Sequence, residues 1–170
     1  MTILRSLPNR SSLTLEGRSN FHPLHSHTNA IEGVVEFDLL PNGRLNPDVS
    51  PVGRLEVNVE NIRSDIKLYD IEMWDRLDIR RYPKIIVDLL AVQEVDPGRF
   101  YRVGGEVTFH GVRKKMAGDL TVRQLNNGLV EAVGETRLDV RDFNVTPPKL
   151  VGIQVFPEVH VRITLVGEIV

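Results

Sequence analysis

Apolar and polar residues alternate with a period of two along most of this chain, the repeat of an extended strand with one buried and one wet face. Leu13, Leu15, Gly17, Ser19 and Phe21 alternate with Thr14, Glu16, Arg18 and Asn20. The pattern returns at Ile31–Leu39, at Arg54–Glu60 around Leu55, Val57 and Val59, and at Tyr101–Phe109. It recurs at Val112–Arg123, where Lys114 and Gly118 interrupt the apolar side, and at Glu158–Leu165, where Val159, Val161, Ile163 and Leu165 share one face. Ile85–Val92 is a nearly continuous apolar run, and Leu129–Leu138 alternates loosely. These segments predict about eight strands. Pro41-Asn42-Gly43, Asp96-Pro97-Gly98, His110-Gly111 and Asn126-Asn127-Gly128 supply turns between them, and short connections imply antiparallel neighbours.

One segment departs from this rhythm. Ile66, Tyr69, Met73, Trp74 and Leu77 follow helical spacing within Asp65–Arg81. Ser64 or Asp65 stands where a cap would, and Pro83 lies beyond. A short helix at one end of the sheet is predicted. With no linker or repeat, residues 1–170 read as a single domain. A sandwich or a closed barrel would satisfy the strands, and a barrel of about eight is just wide enough to hold one small ligand. Gly17, Gly33 and Gly105 lie on the apolar faces, where strand bending or a ligand's close approach calls for them.

Composition narrows the function more than the fold. An apolar share of 41%, a charged share of 26% and a net charge of −2 suit a soluble globular domain and give no footprint for nucleic acid. There is no cysteine, which removes disulfides and thiol chemistry. No stretch is apolar enough to span a bilayer. The first residues carry no signal-peptide pattern, so the expected location is cytoplasmic.

Candidate chemistry is sparse. His22, His25 and His27 form one cluster; His25 and His27 would share a face if extended, as zinc ligands can. A third ligand would have to come from elsewhere, such as His160. Pro23 within the cluster favours a turn carrying exposed polar side chains instead. Asp65, Asp70, Glu72, Asp75 and Asp78 fall among Lys67, Arg76, Arg80 and Arg81, as on a solvated face with pairs such as Glu72–Arg76. Arg113-Lys114-Lys115 reads first as an ordinary solubilising charge run, and as a guide for an anionic headgroup if it rims a barrel. No nucleophile elbow, phosphate loop or dinucleotide fingerprint is present, and no enzyme activity is expected.

Three blocks carry a family resemblance. They are Asp70-Ile71-Glu72-Met73 with Arg81-Tyr82-Pro83, the run Tyr101 to Lys115, and Ala132-Val133-Gly134-Glu135 leading to Asp142-Phe143-Asn144-Val145. Their order and content resemble the YceI-like family, lipocalin-like barrels associated with polyisoprenoids and other long-chain lipids. Asp70 stands at that family's acidic position, and the resemblance sets it apart from the other helix acids as a residue to test for a structural contact to a neighbouring loop. The residues alone leave open whether the interior is hollow or packed solid. The resemblance implies an eight-stranded antiparallel lipocalin-like barrel whose interior binds, sequesters or carries a long apolar molecule, with no other cofactor. Phe21, Phe37, Val57, Tyr69, Met73, Trp74, Leu77, Val103, Val107, Phe109, Val161 and Ile163 are then the expected lining. Two other readings stay open: a metal-dependent enzyme built on the histidine cluster, and a filled barrel serving protein interaction, for instance as a homodimer.

Overall fold

In a computed structural model that describes residues 1–170, the side chain of Leu150 excepted, the alternating segments close on one another. Thr2–Ser6 (β1) and Ser12–Arg18 (β2) lie end to end, and Pro23–Thr28 (β3) and Ile31–Phe37 (β4) run back beside them. Leu15 faces Ser26, and Leu4 faces Val35. Val52–Asn58 (β5), a 3-10 turn at Val59–Asn61 and Arg63–Ser64 (β6) continue around the wall. Helix α1, Lys67–Leu77, then crosses one end.

The rest of the wall comes from long antiparallel strands: Lys84–Asp96 (β7), Phe100–Phe109 (β8), Val112–Gln124 (β9) and Leu129–Asp139 (β10). A small hairpin, Lys149–Leu150 (β11) with Ile153–Gln154 (β12), stands apart from the main sheet. Glu158–Ile169 (β13) closes the ring by pairing with β10 on one side and with both β2 and β1 on the other. The result is a closed antiparallel barrel of eight staves, several of them broken into two short strands. Closure leaves no long unpaired edge.

Inside, apolar faces pack as two clusters. At one end Leu4, Leu13, Ile31, Val57, Val161 and Leu165 are buried, with Val35, Phe37 and Val130 against them. Beneath the helix, Val59, Leu77, Phe143 and Val145 are buried with Met73, Ile85, Val107 and Phe109. Phe143 is fully buried and tilts onto Phe109 with ring centres 5.5 Å apart. It belongs to a 3-10 turn, Val140–Phe143, that follows β10. The ladder between β9 and β10 stops at Asp119–Glu135. Past that point the Thr136 hydroxyl donates to the Ala117 carbonyl at 2.8 Å, and Lys114 pairs with Asp142 at 2.6 Å.

Two glycines set the wall's geometry. A Cβ on Gly33 would run into the Leu55 side chain and lie 2.6 Å from the Arg54 carbonyl oxygen. One on Gly105 would lie 2.8 Å from the Asp88 carbonyl oxygen, beside the register shift between Leu89 and Ala91. Both mark close approach of backbones. At Gly17 a Cβ would meet nothing within 4 Å.

The sequence pattern needs four corrections here. Thr2–Ser6 is a strand too short to register as alternation. Pro23–Thr28 is a strand, not a turn: Pro23 sits at its first position, where the missing N–H costs little. The predicted strand through Phe21 ends at Arg18, because the Ser19 hydroxyl accepts from the Phe21 and His22 N–H groups and folds the chain back. The helix has no side-chain N-cap; Ile66 holds that position.

Candidate functional site

The two clusters do not meet throughout. Between the packed end and α1 lies a cavity of about 210 Å³. Strand alternation aims Leu15, Leu55, Val57, Val87, Val107, Phe109, Val159, Val161 and Ile163 into it, while the helix contributes Tyr69, Asp70, Met73, Trp74 and Leu77. Ser26, Thr136, Tyr69 and Asp70 are the polar members of this otherwise apolar lining.

Asp70 is buried, and its carboxylate accepts the Ser64 N–H with both oxygens, at 2.9 and 3.2 Å. Ser64 in turn accepts the Ile66 N–H through its hydroxyl at 3.1 Å. The start of α1 is thus held from inside the helix by a carboxylate near its positive end, a favourable placement, in place of a conventional cap. This ties α1 to the wall at β6, which itself pairs with β3. At the other end Asp78 adopts the left-handed conformation, and its carbonyl receives the N–H of Tyr82 at 2.9 Å.

Tyr69 follows from the same placement. Desolvation, with a smaller contribution from the neighbouring Asp70 carboxylate, pushes its phenol from the ordinary 10.0 up to about 12. The phenol therefore remains a neutral donor throughout the physiological range. Trp74, the single tryptophan of the chain, carries the guanidinium of the exposed Arg63 4.5 Å above its ring centre. Glu72 and Arg76 pair on the helix at 3.4 Å.

Of the residues expected from sequence to line a site, Val57, Tyr69, Met73, Trp74, Leu77, Val107, Phe109, Val161 and Ile163 surround this cavity. Three do not. Phe21 is 68% exposed in the turn after β2. Phe37, at the end of β4, packs against the far cluster. Val103 sits higher on β8, paired with Val92 and Gly118 and away from the cavity. The pattern overlooked Leu24 and Ser26 because β3 was hidden behind Pro23. Asp70 was legible as a residue to test but not as part of the lining.

The histidines go elsewhere. His25 and His27 do share a face of β3, and both are exposed, as the alternating burial of that strand requires. His25 lies 3.7 Å from Glu16, and His160 lies 3.9 Å from both Glu16 and Glu135. His22 is in the preceding turn, where its Nδ1 is 2.9 Å from the Pro23 carbonyl oxygen. Among the described residues no group of three histidine, cysteine, aspartate or glutamate side chains is arranged to hold a metal ion. Arg113 and Lys114 face acids, Glu106 and Asp142 respectively. No helix is long and apolar enough to cross a membrane.

A closed antiparallel barrel with an apolar hollow under one helix defines the lipocalin-like class. Within that class the chain belongs to the YceI-like domain family, whose pattern it matches over residues 5–167. Among solved structures it is similar to BcnA of Burkholderia cenocepacia, with TM-score 0.78 and 19% identity over 95% of this chain and 98% of that one. It is also similar to a polyisoprenoid binding domain from Saccharophagus degradans implicated in plant cell wall breakdown, with TM-score 0.75 and 15% identity over 98% and 97%. The YceI protein of Campylobacter jejuni follows with TM-score 0.66 and 14% identity, covering 84% of each chain. These identities speak to a shared fold. No curated protein sequence matches the chain.

Proposed function

We propose that this protein binds and carries an apolar, chain-like molecule of the isoprenoid or fatty-acyl kind inside the barrel, and performs no chemistry on it. The cavity between Tyr69, Trp74, Val107 and Val161 is the observation that carries this reading. An interior of this kind gains about 0.8 kcal/mol per buried CH₂, so roughly ten carbons supply some 8 kcal/mol before ordering costs. Affinity of that origin needs surface, not a constellation of polar groups, and the lining provides surface. The resemblance to a polyisoprenoid binding domain supports the same ligand class.

The test is mass spectrometry of an organic extract from natively purified protein, followed by titration of the stripped protein with the extracted lipids. A prenyl or acyl compound recovered near one per chain, and rebinding after removal, is the expected result. An empty extract combined with no uptake of any apolar compound would overturn the proposal.

A further inference from the structure

The hollow is small and ends against a packed floor. A dry apolar cavity of about 150 Å³ takes up one benzene ring, so 210 Å³ corresponds to roughly eight to ten carbons. Beyond Leu13, Ile31, Val57 and Val161 the interior is filled by Leu4, Phe37 and Leu165, which pack on the same cluster without lining the cavity. A longer chain entering here meets that floor and must leave its remainder outside.

The charge of the lining also discriminates. Among the described residues no lysine, arginine or histidine borders the cavity; its only charged member is the carboxylate of Asp70. Arg63 stacks on Trp74 but is exposed and does not line the space. A carboxylate or phosphate buried beside Asp70 would face a like charge without compensation, in a medium where such terms are large. A neutral oxygen is different. Tyr69 lines the cavity, and its phenol stays protonated because burial raises its pKa. A neutral phenol can donate to an oxygen that a ligand brings.

Resting on the carrier reading above, we propose that the cavity selects a short neutral amphiphile, an alcohol or carbonyl compound of roughly eight to ten carbons, with its oxygen on Tyr69 and its chain running toward the Leu13–Val161 floor. Long polyprenyl chains and fatty-acid anions are then poor ligands for this member of the family.

Trp74 lines the site and is the only tryptophan, so its emission reports occupancy directly. The stripped protein is titrated with 1-octanol, 1-decanol, 1-hexadecanol, geraniol, decane and decanoate. Affinity is expected to peak at octanol, decanol and geraniol, to fall at least tenfold for hexadecanol, and to be at least tenfold weaker for decanoate than for decanol. Tyr69→Phe should weaken decanol about fivefold or more and leave decane unchanged. Phe37→Ala, which loosens the floor without touching the cavity, should move the optimum to longer alcohols. Affinity that climbs steadily to hexadecanol, or decanoate binding as tightly as decanol, would overturn this inference while leaving the carrier function standing. No binding of any of these ligands, or of the lipids from a native extract, would remove both.

Discussion

Asp70 and Tyr69, adjacent on α1, divide one polar task between them. Asp70 fixes the helix to the wall through the Ser64 N–H, and Tyr69 lines the cavity. Asp70→Ala leaves a part-buried N–H without its acceptor and is expected to destabilise the fold by about 1–3 kcal/mol, read as a lower urea midpoint at unchanged slope. Tyr69 yields a pH prediction. Its phenol ionises near pH 10 when unfolded and near 12 when folded, so its stabilising contribution is intact below pH 10 and is lost as pH rises toward 12. Urea unfolding across that window should show a fall of at most roughly 2–3 kcal/mol, and Tyr69→Phe should flatten it. The glycines separate bending from crowding. Gly33→Ala drives a methyl into Leu55 and the Arg54 carbonyl and is expected to cost about 1–3 kcal/mol or more, whereas Gly17→Ala, with open space around it, should stay within about 0.5 kcal/mol.

At the scale of elements, the helix is the component that turns a closed sheet into a site. It carries little amphipathic character beyond Tyr69, Met73 and Leu77 facing inward, and Leu68 and Ile71 are exposed. Its position therefore rests on a few anchors. Leu77→Ala, at a residue 6% exposed beneath the barrel end, should cost about 2–5 kcal/mol. Glu72→Ala, which removes the carboxylate beside the buried Arg76 Nε, should cost under about 1 kcal/mol; thermal melts of the two variants make the comparison. The long strands β8, β9 and β13 were legible from alternation over many residues, β7 as a nearly continuous apolar run and β10 from a looser alternation; the helix was legible because its inward residues keep helical spacing. β1 and β3 were not. One is five residues long, and the other shows Pro, His, Ser and His to a reader of hydropathy while burying only Leu24 and Thr28. Their positions are fixed by β13 and β2, partners distant in sequence or hidden by a turn.

At the scale of the molecule, the barrel's interior is shared between a solid end and a hollow one. Alternation identifies which side chains point inward, yet it cannot say which of them meet across the barrel. That depends on register and on where each strand breaks. Phe37 and Val103 show the consequence: both were inward-facing expectations, and both stand away from the hollow. Phe21 failed for a different reason, a serine-led turn that ended the strand before it. Leu13, Ile31 and Val159 share the inner faces already legible in sequence, and only closure of the barrel brings them to the cavity.

The most direct measurement is a pair of decan-1-ol binding isotherms, followed by Trp74 emission, on Val107→Phe and on His25→Ala. Val107 projects into the hollow, and His25 lies on the outer wall. If the hollow is the ligand site, Val107→Phe should weaken binding at least tenfold without lowering the melting temperature by more than a few degrees, and His25→Ala should bind as the parent does. Parent-like affinity in Val107→Phe, or loss of binding in His25→Ala alone, would contradict a ligand held inside the barrel.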